Sequence, residues 1–252
     1  MSELSPEYYA RYVEAARSHW WFRGRERIVA EVAGPLVRAG SLDTVVDVGS
    51  GPGGPARAVF PGARIVAVDL SLAVLRAYAG ADARIAGDAA RLPLASGCVS
   101  VICAFDVLEH LEDDREALRQ WRASLKPGGW LIVTVPAYRQ LWSAHDEVNQ
   151  HRRRYRGREL GAALREAGLR VVRMTYFNTV LLPGIALARW SERLRPRSAA
   201  RRIQAGELDL DRRLPAWAQR WCEGALRLEA RWLRHGELPA GVSICAVAQA
   251  VG

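Results

Sequence analysis

The stretch Thr44-Val-Val-Asp47-Val-Gly49-Ser50-Gly51-Pro-Gly53-Gly54 decides how the chain reads. A short β-branched run opens directly into glycines. Such a run fits a strand buried on both faces of a parallel sheet. The glycines allow a tight turn and let a ligand approach the backbone closely. Gly49, Gly51 and Gly54 also satisfy the G-x-G-x-x-G spacing of nucleotide-binding turns, a weak signal when taken alone.

Working outward, the same kind of run recurs. Residues 64–70, 83–88, 99–105 and 130–136 read as four further strands, and 169–177 and 242–249 as the last two. Helical patterns fill the gaps at 71–79, at 112–125 with Leu118, Trp121 and Leu125 on one face, and at 157–167, where Gly168 is a stop signal. Before the first strand, residues 5–38 read as helical. Tyr8, Tyr9, Tyr12, Val13, Ile28, Val29, Val32 and Leu36 are its apolar positions, and Gly34-Pro35 interrupts or ends it. The strand and helix alternation predicts a doubly wound α/β sheet. The last two strands are separated by about 60 residues rich in Arg, Leu, Ala and Trp, too long for a plain connection. The expected organisation of the 252 residues is one domain. It has a helical cap over 1–40, a ligand-binding core over 41–177, a helical insertion over 178–240 and a last strand over 241–252.

Composition bounds the function. Half the residues are hydrophobic, enough for a full core, which excludes collagen-like, disordered and disulfide-scaffold chains. Lys+Arg number 36 against 27 Asp+Glu, a formal charge of +9, and Lys126 is the only lysine. That excess is either a coding bias or a surface that attracts anions. Cys98, Cys103, Cys222 and Cys245 form no C-x-x-C pair and read as free thiols in a reducing compartment. The first residues hold no apolar core of a secretory signal.

Three acids near the glycines carry chemistry. Asp69 ends the second run, twenty residues after Gly49, where a carboxylate can accept hydrogen bonds from two ribose hydroxyls. Its competing role is a helix N-cap, for which Ser71 is also suited. Asp47 lies within the first strand and can meet a cationic ligand group. Asp88-Ala89 ends the third run and can hydrogen-bond an adenine amino group.

The ordered set DVGSGPGG (47–54), AVDLS (67–71), GDAARLPL (87–94), VLEHL (107–111) and LKPGGWLIVTVP (125–136) resembles the class I S-adenosylmethionine-dependent methyltransferases. The resemblance implies a Rossmann-like methyltransferase fold with a seven-stranded, mostly parallel sheet, and S-adenosyl-L-methionine as cofactor. It implies that Asp47, Gly49, Ser50, Gly51 and Gly53 cradle the methionine part, that Asp69 with Leu70 holds the ribose, and that Asp88 with Ala89 faces adenine. Phe105 and His110 would border the methionine and methyl group. A narrower resemblance, carried by HWWFRGR (19–25) and by His145-Asp146 with HRRRY (151–155), is to a bacterial small-molecule subgroup. There the N-terminal segment packs over the pocket, which implies that Trp21, Arg23 and Arg25 close it, with an arginine free to meet the methionine carboxylate.

Methyl transfer is an in-line displacement, and a base is needed only where the nucleophile must lose a proton. Tyr138, His145, Asp146, His151 and Tyr155 follow the fifth strand, at the edge where ligands bind in such sheets. Histidine suits a base because its pKa lies near working pH, and His145 beside Asp146 reads as an oriented base. As a metal set His145, Asp146 and His151 lack a helical histidine pair and a cysteine, so no metal is expected. Arg152, Arg153 and Arg154 read as a solvated helix entrance, with an anion site as the other choice.

The apolar run at 178–190 is shorter than the ~20 residues of a membrane span. Trp190, Trp217, Trp221 and Trp232 among arginines fit a lid, a dimer face or a peripheral membrane contact. Nucleic acid is not expected. The expected acceptor is a small molecule or a lipid-linked one, for a cytoplasmic monomer or homodimer, with the inner membrane face as an alternative location. The rival functions are an NAD-dependent oxidoreductase, which lacks a Tyr-x-x-x-Lys pair, and a non-catalytic nucleotide-binding protein on the same fold.

Overall fold

A computed structural model of the chain describes residues 13–16, 19–37, 43–194 and 214–251. The readings at Tyr8, Tyr9, Tyr12 and within 195–213 lie outside the described residues. Seven strands form one sheet: β1 (Thr44–Val48), β2 (Arg64–Asp69), β3 (Ala83–Ala86), β4 (Val99–Phe105), β5 (Leu125–Pro136), β6 (Leu169–Phe177) and β7 (Ser243–Ala250). Their order is β3-β2-β1-β4-β5-β7-β6. The first five are parallel. β7 inserts antiparallel between β5 and β6, so the sheet is mostly parallel as the sequence predicts. After β3 the chain crosses back over β1 to place β4 on its other side. That reversal opens a crevice at the carboxyl ends of β1 and β4, the place where open α/β sheets bind ligands.

Among the described residues, the helices include α1 (Trp20–Val37), α2 (Pro55–Val59), α3 (Leu72–Ala77), α4 (Asp114–Ser124), α5 (Ala144–Val148), α6 (Gly157–Glu166), α7 (Leu182–Arg193) and α8 (Ala216–Trp232). Strand side chains alternate between two cores, as the two-residue period of a strand requires. Val46, Val48, Ile102 and Ala104 face a core shared with Leu118 and Trp121 of α4 and Leu160 and Leu164 of α6. Val45, Ile65, Val101 and Cys103 face a core shared with Ile28, Val29 and Val32 of α1 and Leu226 of α8. α4 starts where the Asp113 carboxylate accepts the Glu116 N–H at 2.8 Å, a side-chain cap.

Three boundaries differ from the sequence reading. α1 passes through Gly34-Pro35 as far as Val37, so the pair does not interrupt it. β5 starts at Leu125, not at 130, because Leu125 already pairs with Val99 across an irregularity in the ladder. The glycine loop leads into the short helix α2, which no apolar period announced.

α1, which closes the top of the crevice, packs against α8. A Cβ on Gly24 of α1 would lie 2.1 Å from Leu226 Cδ1 of α8, so only glycine permits this crossing. Glu223 of α8 pairs with Arg23 and Arg27 of α1 at 2.9 and 2.8 Å. Among the described residues no helix is long and apolar enough to cross a membrane.

Candidate functional site

A cavity of about 450 Å³ lies at the carboxyl edge of the sheet. One half is walled by Gly49, Gly51, Asp69, Leu70, Gly87 and Ala89. The other half is walled by Glu109, His110, His145, His151 and Arg154, and Trp20, Trp21 and Phe22 of α1 close the top.

The glycine half is built by backbone geometry. Gly49, Gly51 and Gly53 have φ of 58°, 57° and 113°, values that disfavour any side chain. A Cβ on Gly49 would also sit 2.6 Å from Val107 Cγ2. The Asp69 carboxylate accepts the Gly51 N–H at 3.0 Å and the Ser71 N–H at 2.9 Å, fastening the loop to β2. Helix capping falls to Ser71, whose hydroxyl accepts the Val74 N–H, so Asp69 keeps lone pairs facing the cavity. Burial pushes the Asp69 carboxyl up.

Asp47 lies beneath this loop, fully buried, and its Oδ2 has no hydrogen-bond partner. Burial pushes its pKa up to about 8, against the pull of the Arg25 cation. Asp47 is not among the residues that line the cavity; it underlies the loop whose Gly49 and Gly51 do. Asp88 is exposed and accepts the Ala90 N–H at 2.9 Å, so it shapes its own turn while Gly87 and Ala89 line the cavity. Sequence reasoning missed the device that fixes this edge: the Trp121 indole N–H donates to the Ala89 carbonyl at 2.8 Å from inside the core. Phe105 lies in the core under Gly54 rather than on the cavity wall.

The cap residues divide. Trp21 lines the cavity and stacks on Phe177, with ring centroids 5.8 Å apart. Arg25 is buried, lines the cavity, and forms an ion pair with Asp106, the residue after β4, whose φ is 58°. The Asp106 carboxylate also accepts the Thr134 hydroxyl at 3.0 Å. Arg23 is drawn to Glu223 outside the cavity, which corrects its expected place in the pocket wall.

The base candidates also divide, and the expected His145–Asp146 partnership does not form. Adjacent residues on a helix point about 100° apart. Asp146 turns inward to accept the Ser143 N–H, the His151 Nδ1–H at 2.9 Å and the Arg154 Nε–H at 2.7 Å. Burial opposes ionisation of Asp146, but the His151 hydrogen bond and the Arg154 guanidinium outweigh it and hold its carboxyl well below the usual range. His151 is therefore the oriented imidazole. His145 lines the cavity near it, with ring centroids 5.7 Å apart, and packs against Asn149. His110 meets His151 edge to face at 4.8 Å, and burial brings its pKa down to about 4. Tyr138 stacks on Tyr176 away from the cavity, and the Tyr155 hydroxyl donates to Asp114 in the core at 2.6 Å, so neither joins this group. The arginine run is not a solvated entrance. Arg154 is buried, Arg153 pairs with Asp114 at 2.8 Å, and only Arg152 is exposed.

Fold, switch-point crevice and glycine loop together define a class I, Rossmann-like methyltransferase. A family model described as a methyltransferase domain matches residues 12–174, and the chain belongs to that family. It is 34% identical over 137 residues to the malonyl-[acyl-carrier protein] O-methyltransferase of Enterobacter lignolyticus, covering 50% of this chain and 53% of the relative. It is 30% identical over 112 residues to the demethylmenaquinone methyltransferase of Mycolicibacterium vanbaalenii, covering 44% and 49%. The chain thus spans about half the length of these curated relatives. In fold it is similar to Haemonchus contortus phosphoethanolamine N-methyltransferase 2, solved with S-adenosyl-L-methionine. The TM-score is 0.56 at 17% identity, over 92% of this chain and 53% of that one. The nicotinamide reading is not favoured by these relationships.

Proposed function

We propose that the chain transfers a methyl group from S-adenosyl-L-methionine to a small-molecule or lipid-linked acceptor held in the histidine half of the cavity. One observation carries the reading: a single cavity joins the glycine loop and Asp69 to a ring of histidines. Its volume of about 450 Å³ lies within the roughly 300–1,000 Å³ of small-molecule sites. When bound, the cofactor supplies a methyl group already activated by a sulfonium. Gly49, Gly51 and Gly53 would approach its methionine part, Asp47 its ammonium group, Asp69 its ribose, and Ala89 its adenine edge. The chain's task is then alignment, which can contribute ~7–11 kcal/mol by proximity. For a hydroxyl acceptor, His145 and His151 are the groups positioned to accept a proton. Asp146 holds the His151 ring in one tautomer.

The relatives named malonyl-[acyl-carrier protein] O-methyltransferase and demethylmenaquinone methyltransferase support such an acceptor. The reading is tested by calorimetry with S-adenosyl-L-methionine against NAD, followed by a search for radiolabelled methyl transfer into a cell extract. The expected result is cofactor binding near one equivalent and a labelled product. NAD binding with no S-adenosyl-L-methionine binding would overturn it.

A further inference from the structure

We propose that Glu109, His110 and His151 form a binding site for one divalent first-row transition-metal ion such as Zn2+, facing the cavity. One donor atom from each residue lies within 4.8 Å of the other two. A tetrahedral ion with bonds of about 2.0–2.1 Å spaces its ligand atoms by about 3.3 Å, so modest side-chain rotations close the set.

The Glu109 carboxylate is fully buried, and neither of its oxygens has a hydrogen-bond partner. An uncompensated carboxylate in such surroundings is costly. Arg154 does not hydrogen-bond it, because the Arg154 Nε is committed to Asp146 and its Nη1 to the Ala137 carbonyl. A divalent ion would take the place of a proton there and give the unpartnered oxygens a partner.

The two histidines are held as ligands need to be. Ionised Asp146 can only accept, so His151 Nδ1 carries the proton of their 2.9 Å bond and Nε2 keeps its lone pair. The His110 ring faces the Gln150 backbone carbonyl and turns edge-on to His151, with ring centroids 4.8 Å apart. A ring N–H tied to a carboxylate or a carbonyl is the usual outer support of a metal-bound histidine. Two imidazoles and one carboxylate leave coordination positions open, and all three residues line the cavity. The set differs from the His145, Asp146 and His151 combination weighed on sequence, because Glu109-His110 reach it from the turn after β4.

The proposal stands apart from methyl transfer, and the test keeps the two separable. Full-length protein treated with chelator and dialysed is titrated with Co2+, whose visible bands report nitrogen and oxygen coordination, and then with Zn2+ in competition. The expected result is one saturable Co2+ per chain, displaced by Zn2+. Glu109→Gln and His110→Gln should each weaken binding at least about 100-fold, and His145→Ala should leave it unchanged. Circular dichroism checks each variant's fold, and if Glu109→Gln does not fold, His110→Gln decides by the same titration. Absent or substoichiometric Co2+ binding, or wild-type affinity in the folded variants, would leave Glu109 a plain buried acid and overturn the site. Cobalt binding without S-adenosyl-L-methionine binding sustains the site and overturns only the methyltransferase reading.

Discussion

Cofactor binding should expel a proton from Asp47. Burial raises this carboxyl to about 8, so near pH 7 roughly nine tenths of the free protein carries it protonated. Contact with the ligand ammonium favours the ionised form. The complex then binds fewer protons than the free protein, so affinity must rise with pH. The slope should approach tenfold per unit between about pH 5 and pH 7 and flatten above about 8, once free Asp47 is already ionised. Calorimetry with S-adenosyl-L-methionine near pH 7, in buffers of different ionisation heat, reads the number directly. It should give about 0.9 proton released per cofactor, and Asp47→Asn should remove that release. Zero release by the native protein, or equal release by the Asn variant, would show that Asp47 does not meet the ammonium group.

Other outcomes follow from single contacts. Gly49→Ala adds a Cβ 2.6 Å from Val107 at a φ of 58°, so it should cost roughly 1–3 kcal/mol of stability by thermal melting and impair cofactor binding. Asp69→Ala should weaken cofactor binding by ~1–3 kcal/mol, because it also frees the Gly51 N–H; unchanged affinity would remove Asp69 from the site. Trp121→Phe keeps most of the core but drops the bond to Ala89, so cofactor KM should rise more than kcat falls; an unaltered KM would refute a positioning role. His145→Ala should slow turnover with little change in cofactor affinity, and wild-type kinetics would exclude it as the proton acceptor.

The central parallel strands β1, β2 and β4 were legible because they are buried on both faces and so read as nearly unbroken apolar runs, whereas β3 at the sheet edge is half exposed. The glycine loop was legible because positive φ restricts the residue type. Side-chain direction was not legible. Asp146 follows His145 in sequence, yet it serves His151 and Arg154, because a helix turns neighbours apart and the buried arginine draws the carboxylate inward. Arg23 and Arg25 look equivalent in sequence, but Glu223 and Asp106 draw them to different places. Glu109 carried no signal because an acid beside a histidine in a short turn normally lies in solvent. Only the packing over β4 shows it enclosed.

The near-contact of Gly24 with Leu226 couples segments two hundred positions apart in sequence. The roof helix α1 is therefore seated against α8. Exchanging only α1 with that of a relative would wedge the two helices apart wherever the donor carries a side chain at this point. Retargeting the enzyme to a new acceptor thus calls for both pieces to be transplanted as a matched pair.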